Sequence, residues 1–440
     1  MASVKLINHS SILFEEDGHF ILTDPWYEKV AFGSWLPVPP TSVHPSYLVS
    51  LSQAAKSFAI LISHGHDDHF DDEFLSLFPK STTVIIPKYR SKGVLKRTEK
   101  VGFTNIMEAP TQGVMWNDFE VKSFINSDIS GDDAIMTIAG KDHYIVHAND
   151  NWQPIEKDDR EIIERDFSRY KPENTLYMSQ CNLADGWPNI YRDYNETEKR
   201  KIHANRVDNI IFNGLKNASH FGFPNFLNYA GYAAAFIKGK EQLRNITSYE
   251  SNEKVRSIAS TSGFDVSVVD MIPGDSYNFK TVTSQFPGVR LDQEIIKSNS
   301  YAFYEVYDRI SRCDSYTPEE TIPITEKTEA LQKFLEGFKE FVSVRKEYGF
   351  NTDIVDFSVG FKCTDVEYEV DMGESNKKCT FHLEPKTMTD LLLGRINWEN
   401  LYVGYGSELE TKPRNSNARS VVRWLAMYGY KYQREASFAR

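Results

Sequence analysis

The sequence predicts a layered sandwich of mixed strands and helices, of the α/β or α+β class. Two observations lead to this class. Short runs rich in β-branched and aromatic residues recur along the chain, and segments with apolar residues at helical spacing lie between some of them. The composition agrees, because 40% hydrophobic and 25% charged residues are typical of a folded globular protein. Disordered and fibrous classes are therefore excluded.

The chain has 440 residues, more than a single core usually supports, so we expect a large domain and a smaller one. In the first part, helices are predicted at 72–78 and 159–169, the second with Ile162, Ile163 and Phe167 at helical spacing. The predicted strands are 4–8, 11–14, 20–23, 58–62, 83–86, 119–124, 134–138, 144–147, 175–179, 209–212 and 266–271.

The C-terminal part has a different pattern. Residues 314–327 are rich in Thr, Pro and Glu, which predicts a linker or a long exposed loop. The elements predicted after it are an amphipathic helix at 328–345, strands at 354–363, 366–371 and 379–383, and a helix at 387–393. We therefore place a boundary near residue 305, between a domain at 1–305 and a smaller α+β subdomain at 306–440.

Charge and apolar patterning restrict the partners and the location. The 50 Lys and Arg residues against 62 Asp and Glu residues give a formal net charge of −12, which repels a phosphate backbone, so nucleic acid is not an expected partner. Apolar stretches are short and interrupted by charges, and residues 1–13 lack a basic start. We therefore expect no membrane span, no signal peptide and a cytoplasmic protein.

The 4 cysteines lie far apart, without a Cys-x-x-Cys or Cys-x-His pair, so no thiolate metal site is expected.

A metal site is the strongest chemical prediction of the sequence. The segment Ile62-Ser63-His64-Gly65-His66-Asp67-Asp68-His69 places three histidines and two aspartates directly behind an apolar strand. His64 and His66 can reach one position, while Asp68 and His69 reach a second position beside it. Imidazole and carboxylate together suit Zn, Fe or Mn. The alternative is an exposed polar loop in which the histidines have no common role.

The pattern His64-x-His66-x-Asp68-His69 resembles the H-x-H-x-D-H signature of the metallo-β-lactamase superfamily. The resemblance implies an α/β fold, the αββα metallo-β-lactamase sandwich, with one or two metals at the sheet edge, beside the smaller α+β C-terminal subdomain that the sequence pattern predicts. The segments 23–26, 32–35, 149–150, 186–188 and 273–275 also resemble the metallo-β-lactamase part of the CMP-N-acetylneuraminate hydroxylase-like proteins. That family carries a Rieske iron–sulfur domain, which this chain cannot build without a Cys-x-His pair.

The resemblance also implies a ligand set. Asp150 fits the bridging carboxylate, and His220 fits the last histidine of the superfamily pattern. The usual third histidine of the first site is missing, and Asp128 is the best substitute, with Asp132 and Asp133 as alternatives. The first metal would then be held by His64, His66, Asp128 and Asp150, and the second by Asp68, His69, Asp150 and His220. Asp68 and Asp150 are the expected catalytic carboxylates, and His9 is a candidate only to orient a ligand.

Three functions follow from this site. The first is an oxygenase or oxidase that binds two metal ions, with Fe favoured over Zn or Mn, because a carboxylate at position 128 makes the site harder and more anionic. Its substrate would be a small polar metabolite, and either an external reductase or the substrate itself would supply the electrons. The second is a hydrolase that uses a metal-bound hydroxide on a phosphodiester, ester or lactone. The third is a binding module whose metal site has decayed.

Overall fold

The computed structural model describes residues 2–27, 29–38, 43–125, 133–151, 155–237, 252–284, 323–348, 354, 357–373, 376–414, 416 and 418–438. These residues form two compact units. The first holds the described residues of Met1–Ala31, Trp35–Leu183 and Ala204–Ser311, and the second those of Phe32–Ser34, Ala184–His203 and Arg312–Arg440. The predicted boundary at residue 305 lies outside the described residues and stays a prediction. Residues 184–203, which the sequence places in the first domain, belong to the second unit.

The first unit is built on two mixed sheets. Its strands are β1 (Ala2–Asn8), β2 (Ser11–Glu16), β3 (His19–Thr23), β4 (Trp35–Pro37), β5 (Ser57–Leu61), β6 (Thr83–Pro87), β7 (Asn105–Ala109), β8 (Val114–Trp116), β9 (Phe119–Ile125), β10 (Ala134–Ala139), β11 (Tyr144–His147), β12 (Thr175–Gln180), β13 (Asn225–Tyr229), β14 (Ala233–Ala235), β15 (Ser267–Val269), β16 (Ser276–Tyr277) and β17 (Val282–Thr283). The described strands give one sheet in the order β17-β16-β1-β2-β3-β5-β6-β7 and a second in the order β15-β13-β12-β11-β10-β9-β8. Strands β4 and β14 form a separate pair.

Six described helices and a 3₁₀ turn at Pro172–Asn174 accompany these strands. The helices are α1 (Pro45–Ala54), α2 (Asp72–Leu75), α3 (Gly93–Val101), α4 (Lys157–Phe167), α5 (Glu196–Phe221) and α6 (Asn252–Thr261). In the first sheet, β5, β6 and β7 each follow a helix, and these three strands run parallel to one another and to β3. The two sheets face each other, and the Phe14 ring of one meets the Phe119 ring of the other at 5.8 Å between centroids. The observed fold is the expected αββα sandwich of the metallo-β-lactamase type.

The longest helix corrects one predicted strand. Residues 209–212 lie within α5 and not in a strand. The apolar side chains that decide this are Val207, Ile211, Leu215 and Ala218, which recur at helical spacing and are fully buried against the second sheet. A stripe that can bury several side chains, each worth about 1.5–3 kcal/mol, outweighs the local β preference of Ile-Ile-Phe.

The second unit has a sheet and several helices, as the sequence predicts for the C-terminal part. Its described strands β18 (Phe357–Lys362), β19 (Glu367–Asp371), β20 (Lys377–Leu383) and β21 (Ser407–Lys412) lie in the order β19-β18-β20-β21. Its helices are α7 (Ile324–Glu347), α8 (Pro385–Leu392), α9 (Trp398–Tyr402) and α10 (Arg419–Phe438). Aromatic side chains join α7 to α10, because Phe334, Phe338 and Phe341 all surround the Tyr428 ring. Within the described ranges, no helix combines the length and the apolar character that crossing a membrane requires.

A buried carboxylate connects the two sheets of the first unit. Glu16 at the end of β2 accepts hydrogen bonds from the His143 ring at 2.6 Å and from the backbone N–H groups of Lys141 at 2.8 Å and Asp142 at 3.2 Å. Burial alone would raise the pKa of the Glu16 carboxyl. These hydrogen bonds lower it, and the net pKa lies below its ordinary value.

Replacing Glu16 with glutamine is expected to lower the free energy of unfolding by about 1–3 kcal/mol near neutral pH, because it weakens three hydrogen bonds at a buried position. The carboxyl pKa is lower in the folded than in the unfolded chain, so its contribution is complete above about pH 4.5 and is lost as the pH falls through the folded-state pKa. Urea unfolding at a series of pH values measures this. The gap between wild type and variant should narrow in acid, and a gap independent of pH would contradict the prediction.

Candidate metal centre

The predicted metal loop lies at one edge of the sandwich, where several strands end. The loop 62–69 follows β5, Asp24 follows the neighbouring β3, and Asp150 follows β11 of the other sheet. Because β3 and β5 run parallel, with Thr23 opposite Leu61, both strands deliver their next residues to the same edge. His9 reaches this edge from the turn between β1 and β2. Four separate turns therefore supply the polar side chains of the site.

Two groups of side chains at this edge could each hold a metal ion. In the first, the ligand atoms of His64, His66 and Asp150 lie within 4.8 Å of one another. The His64 Nδ1 atom lies 3.0 Å from the Ser63 hydroxyl, which directs Nε2 into the group. This Nε2 atom is 2.8 Å from His66 Nδ1 and 3.9 Å from Asp150 Oδ2. Burial and the neighbouring imidazoles of His69 and His66 lower the pKa of His64 well below its ordinary value, which favours the neutral ring that a metal needs.

The second group contains His9, Asp68 and His69, all buried, with ligand atoms again within 4.8 Å of one another. Asp68 Oδ2 lies 3.5 Å from His9 Nε2 and 3.9 Å from His69 Nε2. Asp150 joins the two groups, because its Oδ2 atom is also 3.4 Å from His69 Nε2. The two His/Asp groups are thus adjacent and consistent with a dinuclear metal site.

Asp24 lies next to the two groups and orients their residues through hydrogen bonds. Its fully buried carboxylate accepts hydrogen bonds from the backbone N–H and the hydroxyl of Ser63, both at 2.7 Å, from His69 Nδ1 at 2.9 Å and from His147 Nε2 at 2.8 Å. Burial would raise the pKa of Asp24, but the two imidazoles, His147 first, lower it far below its ordinary value. His147 itself accepts a hydrogen bond from the Tyr229 hydroxyl. It therefore supports the site as a buried histidine and does not belong to either group.

The charges in the site favour a cation. Burial alone would lower the pKa of His69, yet Asp150, Asp68 and Asp24 raise it well above its ordinary value. Among the described residues, His69 Nε2, Asp68 Oδ1 and Asp150 Oδ1 are buried and have no hydrogen-bond partner, as are both ring nitrogens of His9. Buried polar atoms are rarely left unpaired, so a group of them at one place indicates a ligand site. Imidazole nitrogens and carboxylate oxygens suit Fe, Zn or Mn.

The structure brings most of the predicted site residues together. His64, His66, Asp68, His69 and Asp150 all lie within the two groups or between them. Asp128 lies outside the described residues, so its role stays a prediction. Of its alternatives, Asp132 also lies outside the described residues, while Asp133 Oδ1 is 4.0 Å from His64 Nε2.

The structure corrects the assignment of His220. This residue lies in the last turn of α5, where its side chain is 53% exposed and its Nε2 atom is 3.4 Å from Glu164 of α4. The prediction required a strand just before His220, and that strand does not exist because residues 209–212 are helical. His220 therefore lies on the helical layer of the sandwich and belongs to neither metal group.

Arg97 on α3 is a residue of the site that the sequence did not reveal. Its guanidinium donates to the carbonyl oxygens of Gly65 at 2.5 Å and Phe70 at 3.1 Å, and to the carboxylates of Asp67 at 3.0 Å and Asp72 at 2.6 Å. It also lies over the Phe70 ring, 4.3 Å from the centroid. Arg97 thus fixes both ends of the segment that carries His66, Asp68 and His69. Nothing in the local sequence around a single arginine indicates such a role.

Replacing Arg97 with alanine is expected to weaken metal binding about 10- to 100-fold, since residues that orient metal ligands have effects of this size. Competition with a chromophoric chelator measures the affinity. Lys96→Ala, at an exposed position of the same helix, is the control and should leave the affinity unchanged. Equal affinities in the two variants would show that the loop keeps its conformation without the guanidinium.

The sandwich with two adjacent His/Asp groups at one edge defines the class as a metallo-β-lactamase-fold metal-dependent enzyme. A family model agrees with this class, because residues 3–159 match the beta-lactamase superfamily domain. The matched range includes every residue of the two groups.

Curated relatives match only a part of this chain. One is a protein of Mycolicibacterium smegmatis whose name assigns it, provisionally, to the Rieske 2Fe-2S iron–sulfur proteins; it is 32% identical over 106 residues, 24% of this chain and 20% of that protein. A Mycobacterium tuberculosis protein with the same assignment is 28% identical over the same length. The match thus spans about one fifth of the curated relatives' length.

Solved structures are similar at low identity. A novel metallo hydrolase from Ignicoccus hospitalis matches 63% of this chain and 99% of its own at 14% identity and a TM-score of 0.41. CmlA, a diiron beta-hydroxylase from Streptomyces venezuelae, matches 61% of this chain and 52% of its own at 14% identity and a TM-score of 0.38. TM-scores this low give no basis for an inference about function.

Proposed function

We propose that this chain is a dinuclear iron enzyme that oxidises a small polar metabolite with dioxygen. One observation carries the proposal: two imidazoles and one carboxylate, those of His64, His66 and Asp150, come within 4.8 Å of one another, and a second His/Asp group lies beside them. Two histidines and one carboxylate, with further positions open, form the ligand set that non-haem Fe(II) oxygenases use. Bound iron would supply the redox chemistry with dioxygen.

The protein residues would orient the ligands and control access. Ser63 and Asp24 fix the Nδ1 atoms of His64 and His69, which leaves both Nε2 atoms for ligation. The inner side of the site is closed to water, because His64, His69 and Asp24 are buried. The outer side is more open, since the Asp150 side chain is 23% exposed and the Asp133 side chain 28% exposed. Carboxylates at the open side favour a polar substrate.

The electron balance requires a reductant. Inserting one oxygen atom of dioxygen into a C–H bond and reducing the other to water consumes two electrons and two protons beyond the substrate. The sequence has no Cys-x-His pair, so a Rieske cluster has no ligands here. We propose that a separate iron–sulfur domain or protein donates the electrons. The names of the mycobacterial relatives support this idea for their own chains, of which this chain matches about one fifth.

Metal reconstitution tests the proposal. Metal-free protein is loaded under anaerobic conditions with ferrous iron, zinc or manganese, and its metal content is measured after removal of excess ion. The iron form, once reduced and exposed to air, should show a change in its visible absorption and consume dioxygen, and the zinc form should do neither. An iron form that never reacts with dioxygen, with or without a chemical reductant, would contradict the oxidase proposal.

The second candidate is a hydrolase, and the same ligand set supports it. Two histidines and one carboxylate also hold catalytic zinc in known hydrolases. In this case the zinc form should cleave a nitrophenyl phosphodiester, ester or lactone, and Asp68→Asn should remove the cleavage. Cleavage by the zinc form, together with an inert iron form, would replace the oxidase proposal with this one.

A further inference from the structure

We infer that His9 is a ligand of the second metal, in the role that the sequence assigned to His220. The inference rests on the proposed metal binding and adds the identity of a ligand that the family pattern does not supply. His9 precedes the H-x-H-x-D-H segment and lies in the turn between β1 and β2. Both ring nitrogens of His9 are buried without a hydrogen-bond partner among the described residues, and its ring lies in one group with Asp68 and His69.

The geometry around His9 is that of a ligand. The residue is 6% exposed, and neither ring nitrogen has a hydrogen-bond partner among the described residues. Its Nε2 atom lies 3.5 Å from Asp68 Oδ2. Ligand atoms at about 2.1 Å from a four-coordinate metal are separated by about 3.4 Å, which the His9–Asp68 distance approaches. The same holds for the 3.4 Å between His69 Nε2 and Asp150 Oδ2.

The backbone holds His9 in this position. Its φ angle is +29°, in the region that few non-glycine residues adopt, and such conformations persist where the surroundings enforce them. The His9 carbonyl accepts a hydrogen bond from the Ala230 N–H at 2.8 Å, and the preceding Asn8 side chain donates to the Trp26 carbonyl at 2.7 Å. The Trp26 ring also meets the His9 ring edge to face, at 5.2 Å. The imidazole is therefore fixed before a metal arrives.

The alternative is a buried histidine that only fills space. A buried histidine of that kind normally has a hydrogen bond at one ring nitrogen or at both. His147 illustrates the difference, because its two nitrogens pair with Asp24 and Tyr229. His9 is also buried, but the contact of its Nε2 atom with Asp68 Oδ2 is 3.5 Å long, beyond the roughly 2.7–3.2 Å of an ordinary N–H···O hydrogen bond. The metal role explains this long contact, which the space-filling role leaves unexplained.

Metal counting on the full chain tests the inference. Wild type, His9→Gln and His220→Gln are prepared metal-free, saturated with Co(II), freed from excess ion and assayed by elemental analysis. We expect about two cobalt ions in wild type and in His220→Gln, and about one in His9→Gln. His220→Gln is a matched control because that histidine is exposed and lies on α5. Two ions in His9→Gln at unchanged affinity would overturn the inference, whereas wild type without metal would instead overturn the proposed function.

A second variant gives a positive signal that a space-filling role cannot produce. His9→Cys with Co(II) should show a sulfur-to-cobalt charge-transfer band in the near ultraviolet, because a thiolate would replace the imidazole at the metal. Cobalt binding without this band would overturn the inference. The third measurement uses the wild-type protein. In the proton NMR spectrum of its Co(II) form, each imidazole ligand should give one hyperfine-shifted N–H signal, and we expect these from His64, His66, His69 and also His9. Should neither variant fold, four such signals would support the inference and three would overturn it.

Discussion

Asp150→Asn is expected to remove most of the metal from the protein. The carboxylate oxygen Oδ2 lies between the two groups, 3.4 Å from His69 Nε2 and 3.9 Å from His64 Nε2. Asparagine keeps the shape but loses the negative charge, so two cations would have to approach each other without a shared anion. Removing a ligand should cost more than the 10- to 100-fold typical of residues behind the ligands, so we expect about a 1000-fold loss of affinity.

Elemental analysis and chelator competition measure this loss, and thermal unfolding shows its consequence. A ligand that binds only the folded state stabilises it, so added metal should raise the melting temperature of wild type much more than that of the variant. Asp118→Asn, at an exposed turn between β8 and β9, is the control and should respond like wild type. Two tightly bound ions in Asp150→Asn would rule out a bridging role.

Asp24→Ala is expected to lower the free energy of unfolding by about 3–5 kcal/mol, the range for removing one partner of a buried charged network. The Asp24 carboxylate pairs with the Ser63 backbone and hydroxyl, His69 and His147, and alanine removes all four of these hydrogen bonds at a fully buried position. The imidazole of His69 would also lose the contact that fixes its orientation, so metal affinity should fall by about 10- to 100-fold.

Denaturant unfolding of the metal-free protein separates the two effects. Ser63→Ala provides a graded comparison, because it removes only the hydroxyl contact to Asp24 and the contact to His64. Its cost should be about 1–3 kcal/mol, the net value of two hydrogen bonds. If Asp24→Ala were no more destabilising than Ser63→Ala, the buried network would have little weight in the stability of the fold.

The sequence predicts much of the fold and most residues of the two metal groups, because the patterns that indicate them are local. Strands with apolar runs, such as those at 20–23, 58–62 and 144–147, are recognisable without knowledge of their neighbours. His64, His66, Asp68 and His69 are close in the chain, so a single loop brings them together. Asp150 follows a strand that the sequence also predicts. Local patterns were sufficient in all these cases.

The other residues depend on contacts between distant segments. His220 was assigned on the assumption of a strand at 209–212, and only the apolar stripe from Val207 to Ala218 reveals the helix. His9 reaches Asp68 because of the way β1, β2, β3 and β5 are ordered in the sheet, which no spacing along the chain reveals. Arg97 donates to backbone carbonyls of a loop about thirty residues earlier in the chain. The sequence around Arg97 does not distinguish it from an arginine that is only solvated at the surface.

The second unit gathers segments that are synthesised far apart in time. Arg192 binds Glu408 across 216 residues, and the backbone N–H of Arg192 donates to the Leu409 carbonyl at 2.8 Å. At an elongation rate of about 5–20 residues per second, residues 184–203 leave the ribosome roughly 10 to 40 s before their partner strand exists. The described strands of the first unit all lie before residue 284, so they can pair during this interval. The segment around Tyr191 must then stay unpaired on the nascent chain, where chaperones have time to bind it.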